Sequence, residues 1–356
     1  MLFLDIEVFI FRRSRTMNKR ITDFESLIKT DYGNIAGIVV INGGKKVYEG
    51  YFDGYTAEDT IHIASVTKSV ISALIGIAID KGYIETIDQK VLEFFPDYTV
   101  KRGEKTIQNV TIKNMLTMTA PYKYKSEPYT KVYTSDDWTK AALDLLGGKS
   151  GLGGFVYSTI GIQILSGILT NATGQPVLDF AIENLFEPLG IKAPHNAIVH
   201  CKEEYFSFLN DRYVRGWVVD PKGTNTAGWG LTLTPRDMVK IGQLYLNGGF
   251  WNGKQLVSSK WIEDSTKENS RWGESPYGYL WWIVDNKEQR CYAALGDGGN
   301  AIFVNTEKKM VIAIASRFMP RAKNRIELIE KHIVPLFEDN QFVVRQKSRH
   351  GEPYHK

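Results

Sequence analysis

Apolar residues along the chain change period three times, and those changes mark the elements. Residues 22–29 (TDFESLIK) begin with a Thr cap and carry Phe24, Leu27 and Ile28 at helical spacing. GIVVING-GKKVYEGYF then gives an apolar run, a Gly-Gly turn and a Tyr-rich return, the pattern of a β-hairpin. The long middle predicts helices over 66–80, 112–118, 135–146, 160–171, 177–186 and 235–247, punctuated by Gly, Pro and Asn. After about residue 276 the runs YGYLWWIVD, CYAALG, AIFVN and MVIAIAS are short, β-rich and separated by turn signals, which predicts an antiparallel meander. A closing helix over about 321–338 sets Ile326, Ile329 and Ile333 against Glu327, Glu330 and Lys331.

Strands at both ends and helices between them predict an α+β fold: an antiparallel sheet formed by both chain ends, flanked by helices, with a mostly helical second lobe. The expected organisation is an N-terminal extension (1–20), a domain over 21–340 and a C-terminal tail (341–356). Within the domain, 21–60 plus 270–340 form the α/β lobe and 61–269 the helical lobe. A site is expected in the cleft between lobes.

Length and composition fit this reading. The chain has 356 residues, 43% hydrophobic and 24% charged, which excludes a disordered or coiled-coil protein. The net charge of +4 sits in the ends: residues 1–20 carry +3, residues 341–356 another +3, and the body −2. A nucleic-acid-binding body needs a basic face inside the fold, so no nucleic-acid partner is expected. MLFLDIEVFI is broken by Asp5 and Glu7 and followed by its basic cluster, the reverse of a secretory signal. Met17 begins a more ordinary start, so residues 1–16 read as an upstream addition. No apolar run is long enough for a membrane span. Cys201 and Cys291 show no CxxC spacing and read as thiols, and no HxxxH pair occurs. A cytoplasmic protein without metal or cofactor is expected.

Three stretches carry candidate chemistry. Ser65-Val66-Thr67-Lys68 opens a helix that is apolar all round and therefore buried. Ser65 sits in its first turn, where free N–H groups and the dipole favour an oxyanion. Lys68 is on the same face, and burial there favours a neutral amine able to accept the serine proton. A second Ser-x-x-Lys, Ser26–Lys29, lies on an amphipathic helix beside Asp23 and Glu25, where the lysine simply reaches solvent. In GFVYST (154–159), Tyr157 precedes another apolar helix; a neighbouring ammonium would favour its phenolate and make it a base. Its alternative is a packing ring, the default for one of 18 tyrosines. LGDGGN (295–300) is a Gly-rich turn between strands whose backbone can approach a ligand, or a plain hairpin turn. Gly148-Lys149-Ser150 is not a phosphate loop, because position 143 is Leu and a helix precedes it. Trp281-Trp282 reads as sheet packing, with one ring at the cleft.

Together the three stretches resemble the serine β-lactamase and penicillin-binding-protein superfamily, in the branch with class C β-lactamases, D-aminopeptidases and esterases. FPDY (95–98), TIKNMLTMT (111–119), residues 226–249, YGYLWWI (277–283) and FVNTEKKMVIAI are similar to it too, over roughly 21–338. The resemblance implies Ser65 as nucleophile, Lys68 and Tyr157 sharing the proton, and Asn300 giving the second oxyanion N–H, with Gly299, Asp297 and Thr159 around the substrate. Two positions depart from it. Thr159 replaces the Asn of Tyr-x-Asn, and Asp297 stands at the Lys/His of Lys/His-x-Gly, where it would repel a substrate carboxylate. Arg317 is a candidate replacement anchor. The expected function is hydrolysis of small esters or amides. A true β-lactamase or D-amino-acid peptidase, acyl transfer to another acceptor, and a catalytically impaired binding or regulatory protein remain alternatives.

Overall fold

The computed structural model describes residues 2–199, 201–211, 215–285 and 289–338, with the backbone alone for residues 2–16 and Lys202. The tail at 341–356 lies outside the described residues. Eight strands form one antiparallel sheet: β1 (Ile35–Asn42), β2 (Lys45–Tyr51), β3 (Ser270–Trp272), β4 (Ser275–Tyr277), β5 (Trp282–Ile283), β6 (Cys291–Gly296), β7 (Asn300–Asn305) and β8 (Met310–Ser316). Their order is β2-β1-β8-β7-β6-β5-β4-β3. The first strand thus lies beside the last, with Ile38 opposite Ile314 and Val40 opposite Ile312.

Both sheet faces are buried, which explains why β8 is an unbroken apolar run. Met310, Ile312 and Ile314 face one core with Phe24 and Ile28 of α1 (Leu2–Asp31) and with Ile329, Ile333 and Phe337 of the closing helical segment. Val311, Ala313 and Ala315 face the other core, toward the helical lobe. The period of two along the strand sends alternate side chains to different cores. There α2 (Val66–Asp80) and a helix at Pro235–Leu246 pack on the sheet. Gly242 permits the close approach: a Cβ there would stand 2.5 Å from Val311 Cγ1 and 2.7 Å from Ile302 Cγ2. In the helical lobe, α3 (Trp138–Leu145) and α4 (Thr159–Thr173) pack on one another, and α4 packs on α2.

The elements differ from expectation in several places. Helix α1 begins at Leu2, and Met17, assigned by sequence to the extension, is buried with Phe24 and Ile28. The β3–β4 hairpin escaped the hydrophobic pattern because SRWGESPY is a polar sheet edge. Tyr129–Tyr133, Lys202–Asn210 and Ser259–Ser265 are additional helices. The closing helix starts at Arg325, capped by Asn324 Oδ1 accepting from Ile326 N at 2.9 Å, and includes a π-helical turn over Ile329–Ile333. Among the described residues, no helix is long and apolar enough to cross a membrane.

Candidate active site

Ser65 is set at the mouth of α2 by an uncommon backbone. The short strand Ile61–His62, paired with Thr232–Leu233, leads into Ala64, which holds φ +50°. A non-glycine residue in that region stores strain and turns the chain sharply. Ser65 then takes helical angles (φ −68°, ψ −5°) at the N-cap, but its side chain caps no backbone N–H. The hydroxyl is therefore free for another partner. Ser65 is half-buried and reachable, whereas Val66 through Ala78 are all buried.

That partner is Lys68, one helical turn on and 1% exposed. Its Nζ lies 2.9 Å from Ser65 Oγ, 3.2 Å from Thr159 Oγ1 and 2.8 Å from the Gly228 carbonyl oxygen. Burial lowers its pKa to about 7, against the opposing pull of the Glu127 and Asp297 carboxylates. An ammonium would donate to all three acceptors. The neutral amine donates two protons and turns its lone pair to the serine hydroxyl.

Tyr157 forms the second wall, directly before Ser158, whose Oγ caps α4 by accepting from Gly161 N at 2.7 Å. The Tyr157 ring lies 5.0 Å from Lys68 Nζ. It stacks on Trp282 with centroids 6.0 Å apart, while Trp281 is wholly buried in the core. Burial first, then Asp297 and Glu127, push the Tyr157 pKa well above its ordinary value, against the lowering influence of the Ser65 hydroxyl. Burial disfavours charge on both Tyr157 and Lys68 and so pushes each toward its neutral form.

The third wall is the end of β6. A Cβ on Gly296 would stand 2.4 Å from Ile63 O and 3.1 Å from Ser65 N, so glycine alone fits against the nucleophile's backbone. Asp297, Gly298 and Gly299 make a tight turn, the two glycines at φ +78° and +90°. Asp297 is exposed, and its charge reaches Lys68, Tyr157, Tyr129 and Tyr205. Gly299 faces away, with its carbonyl accepting from Ser316 Oγ at 3.0 Å and Arg325 Nε at 3.2 Å. Asn300 is 2% exposed and fully committed. Its Nδ2 donates to His62 O and Asp297 O, and its Oδ1 accepts from Ser316 N. Gly296, four residues before Asn300, is the part of this strand whose backbone is pressed against Ser65 N. Arg317 is no anchor for a substrate either, since it pairs with Asp53 at 2.9 Å and donates to Gly33 O at 3.1 Å.

This arrangement coincides with a family-wide match: residues 24–332 fit the sequence profile named Beta-lactamase. The chain belongs to the beta-lactamase family. With it the chain is a serine hydrolase. The family includes relatives of known name. The 6-aminohexanoate-dimer hydrolase of Paenarthrobacter ureafaciens is 24% identical over 300 residues, 77% of this chain and 70% of that protein. A solved Bacillus anthracis protein, provisionally assigned as a 6-aminohexanoate-dimer hydrolase, superposes with a TM-score of 0.69 at 21% identity, covering 88% of this chain and 80% of that one. The octameric penicillin-binding-protein homologue of Pyrococcus abyssi superposes with a TM-score of 0.65 at 20% identity, covering 92% and 79%.

Two members of the beta-lactamase site in this chain had no role in the sequence reading. Gly228 lies in a stretch that resembled the family, but nothing in TAGWG says which carbonyl meets a lysine. Glu127 accepts from Ser158 Oγ at 2.9 Å and Ile160 N at 2.7 Å, so it holds the entry of α4 while placing a charge near Lys68. In SEPYT it carries no signal. Among the described residues no three His, Cys, Asp or Glu side chains gather as a metal site. Cys201 is exposed and Cys291 buried, both as free thiols.

Proposed function

We propose that this enzyme transfers acyl groups to water through an ester of Ser65, with small esters or amides as substrates. The observation that carries the reading is the 2.9 Å approach of a fully buried Lys68 Nζ to an uncapped Ser65 Oγ. Ser65 Oγ bonds to the substrate carbonyl carbon as its proton passes to neutral Lys68. The carbonyl oxygen takes up the negative charge between the N–H groups of Ser65 and Asp297. Asp297 replaces Asn300 in this role because Gly296, which it follows, is pressed against Ser65. The bond to the leaving group then breaks, and that group takes the Tyr157 phenolic proton, which Lys68 restores. Water repeats the sequence on the acyl-enzyme: its proton passes to Lys68, and Ser65 leaves with a proton from Tyr157.

The charge around the nucleophile supports the substrate class. Neither Asp297 nor Glu127 has a Lys or Arg partner within ion-pair distance among the described residues. A substrate carboxylate would enter beside two unneutralised carboxylates, which argues against penicillin-like acids and D-amino-acid peptides. The Paenarthrobacter relative is named for the dimer of 6-aminohexanoate, which supports amide hydrolysis although that dimer carries a carboxylate of its own.

Fluorophosphonate labelling of wild type and Ser65→Ala, with p-nitrophenyl butyrate and nitrocefin as parallel substrates, tests the reading. Serine-dependent labelling with ester turnover is expected. Fast nitrocefin hydrolysis without ester turnover overturns the substrate class, and no label and no turnover overturns the catalytic role.

A further inference from the structure

Behind the Asp297–Gly299 turn lies a buried cation that the acyl transfer does not touch. Arg325, 4% exposed, donates from Nε to Gly299 O at 3.2 Å and from Nη2 to Asn34 Oδ1 at 2.6 Å. Nη2 also approaches Gly298 O at 3.4 Å, and Nη1 donates to Lys323 O at 3.0 Å. Asn34 closes the ring, its Nδ2 donating to Gly298 O at 2.6 Å and Arg317 O at 2.9 Å. None of these acceptors is a carboxylate, and among the described residues Arg325 has no ion pair. The guanidinium rests 5.2 Å over the Tyr32 ring.

A guanidinium buried without a counter-charge is a costly way to fill space; burial draws its pKa down to about 10. What it supplies that an apolar side chain cannot is a rigid plane of N–H donors aimed at successive carbonyls. Those carbonyls belong to the turn that follows Gly296. Asn300 holds the Asp297 carbonyl, Asn34 and Arg325 the Gly298 carbonyl, and Ser316 and Arg325 the Gly299 carbonyl. Three consecutive peptide planes are thus fixed. The Asp297 N–H belongs to the peptide just before these three, which it shares with the Gly296 carbonyl, so pinning the planes that follow fixes the Asp297 Cα against which that N–H is oriented. Two glycines at positive φ leave that backbone otherwise free to move.

We propose that Arg325 is a positioning residue for oxyanion binding, which holds the Asp297–Gly299 turn so that the Asp297 N–H meets the oxygen that becomes charged at Ser65. The proposal rests on the acyl-transfer reading above. Displacing one oxyanion donor by about an ångström lowers turnover on the order of a hundredfold.

The test compares Arg325→Met and Arg325→Lys with wild type on p-nitrophenyl butyrate, with kcat taken per active site titrated by fluorophosphonate. Arg325→Met is expected to lose about thirty- to hundredfold in kcat with KM within about twofold, and to lose affinity for an alkylboronic acid by a similar factor. Arg325→Lys is expected to recover part of both losses. The acid limb of the pH profile stays in place, since Lys68 is untouched. An unchanged kcat per titrated site, or a change confined to KM, overturns the proposal. Should Arg325→Met not fold, Asn34→Ala carries the test, with a three- to tenfold loss in kcat expected and no loss overturning it. A wild type that neither labels at Ser65 nor turns over the ester defeats the acyl-transfer reading instead, so the two failures are distinguishable.

Discussion

Lys68 and Gly228 meet at 2.8 Å, Nζ to carbonyl oxygen, and the contact ties the nucleophile's helix to a loop 160 residues downstream. Glycine is required there. A Cβ on residue 228 would stand 2.7 Å from Thr159 Cγ2 and 2.8 Å from Thr159 O. Gly228→Ala is expected to push the loop off α4 and take the carbonyl from Lys68. Thermal unfolding should register a loss of about 1–3 kcal/mol, and kcat/KM should fall at least about tenfold. An active, equally stable variant would show that the carbonyl does not hold the lysine.

The pH profile follows from the sign of the Lys68 shift. The amine must be neutral to take the serine proton, and its pKa is lowered to about 7. kcat/KM should therefore rise with pH through about 7 and level off above it, because Tyr157 keeps its proton far beyond that range. Glu127 and Asp297 each favour the ammonium. Asp297→Asn should move the rising limb to lower pH, and Glu127→Gln should do the same. A limb that stays put in both variants would sink the assignment of Lys68 as base.

Gly296 offers a steric test of the third wall. The added methyl of Gly296→Ala would meet Ile63 O at 2.4 Å and Ala64 Cβ at 3.2 Å. Strand β6 must then move away from Ser65, taking the Asp297 amide with it. A fall in kcat of about a hundredfold is expected, with Ser65 still labelled slowly by fluorophosphonate. Wild-type turnover in this variant would show that β6 does not meet the reacting carbonyl.

Substrate charge should track Asp297. Between matched esters with neutral and carboxylate-bearing acyl groups, wild type is expected to favour the neutral one by roughly tenfold in kcat/KM, less at high salt. Asp297→Asn should narrow the ratio and Asp297→Lys should reverse it. A ratio indifferent to both substitutions would place the selectivity elsewhere.

The Ser65–Lys68 contact was legible because the two residues are one turn apart on an apolar helix, and the resemblance of three separate stretches to one family set this pair apart from Ser26–Lys29. The sheet built from both chain ends was legible because strands buried on both faces read as unbroken apolar runs. Other features depend on tertiary context. In Leu295–Asn300 the glycines announce a close approach, yet only the placement of β6 against Ile63 shows that Gly296 is the glycine pressed against Ser65. The protonation of Tyr157 depends on burial and on two carboxylates distant in sequence, which no local pattern carries. Glu127 looks like any surface acid until α4 is folded over it.

Strand order also fixes when the enzyme can first exist. The β1–β2 hairpin is synthesised early, but β1 pairs next with β8, Asn42 opposite Met310. The helical lobe is complete long before that partner emerges. Until then β1 carries an unpaired, apolar edge, the kind of surface that recruits other chains. Gly296 arrives equally late, so an unfinished chain holds Ser65 and Lys68 with no third wall. Protection from aggregation and the capacity to turn over substrate therefore arrive together, in the last stretch of synthesis. Long-range pairing of this kind makes for slow folding, and the nascent chain depends on its surroundings to keep that edge apart from its neighbours.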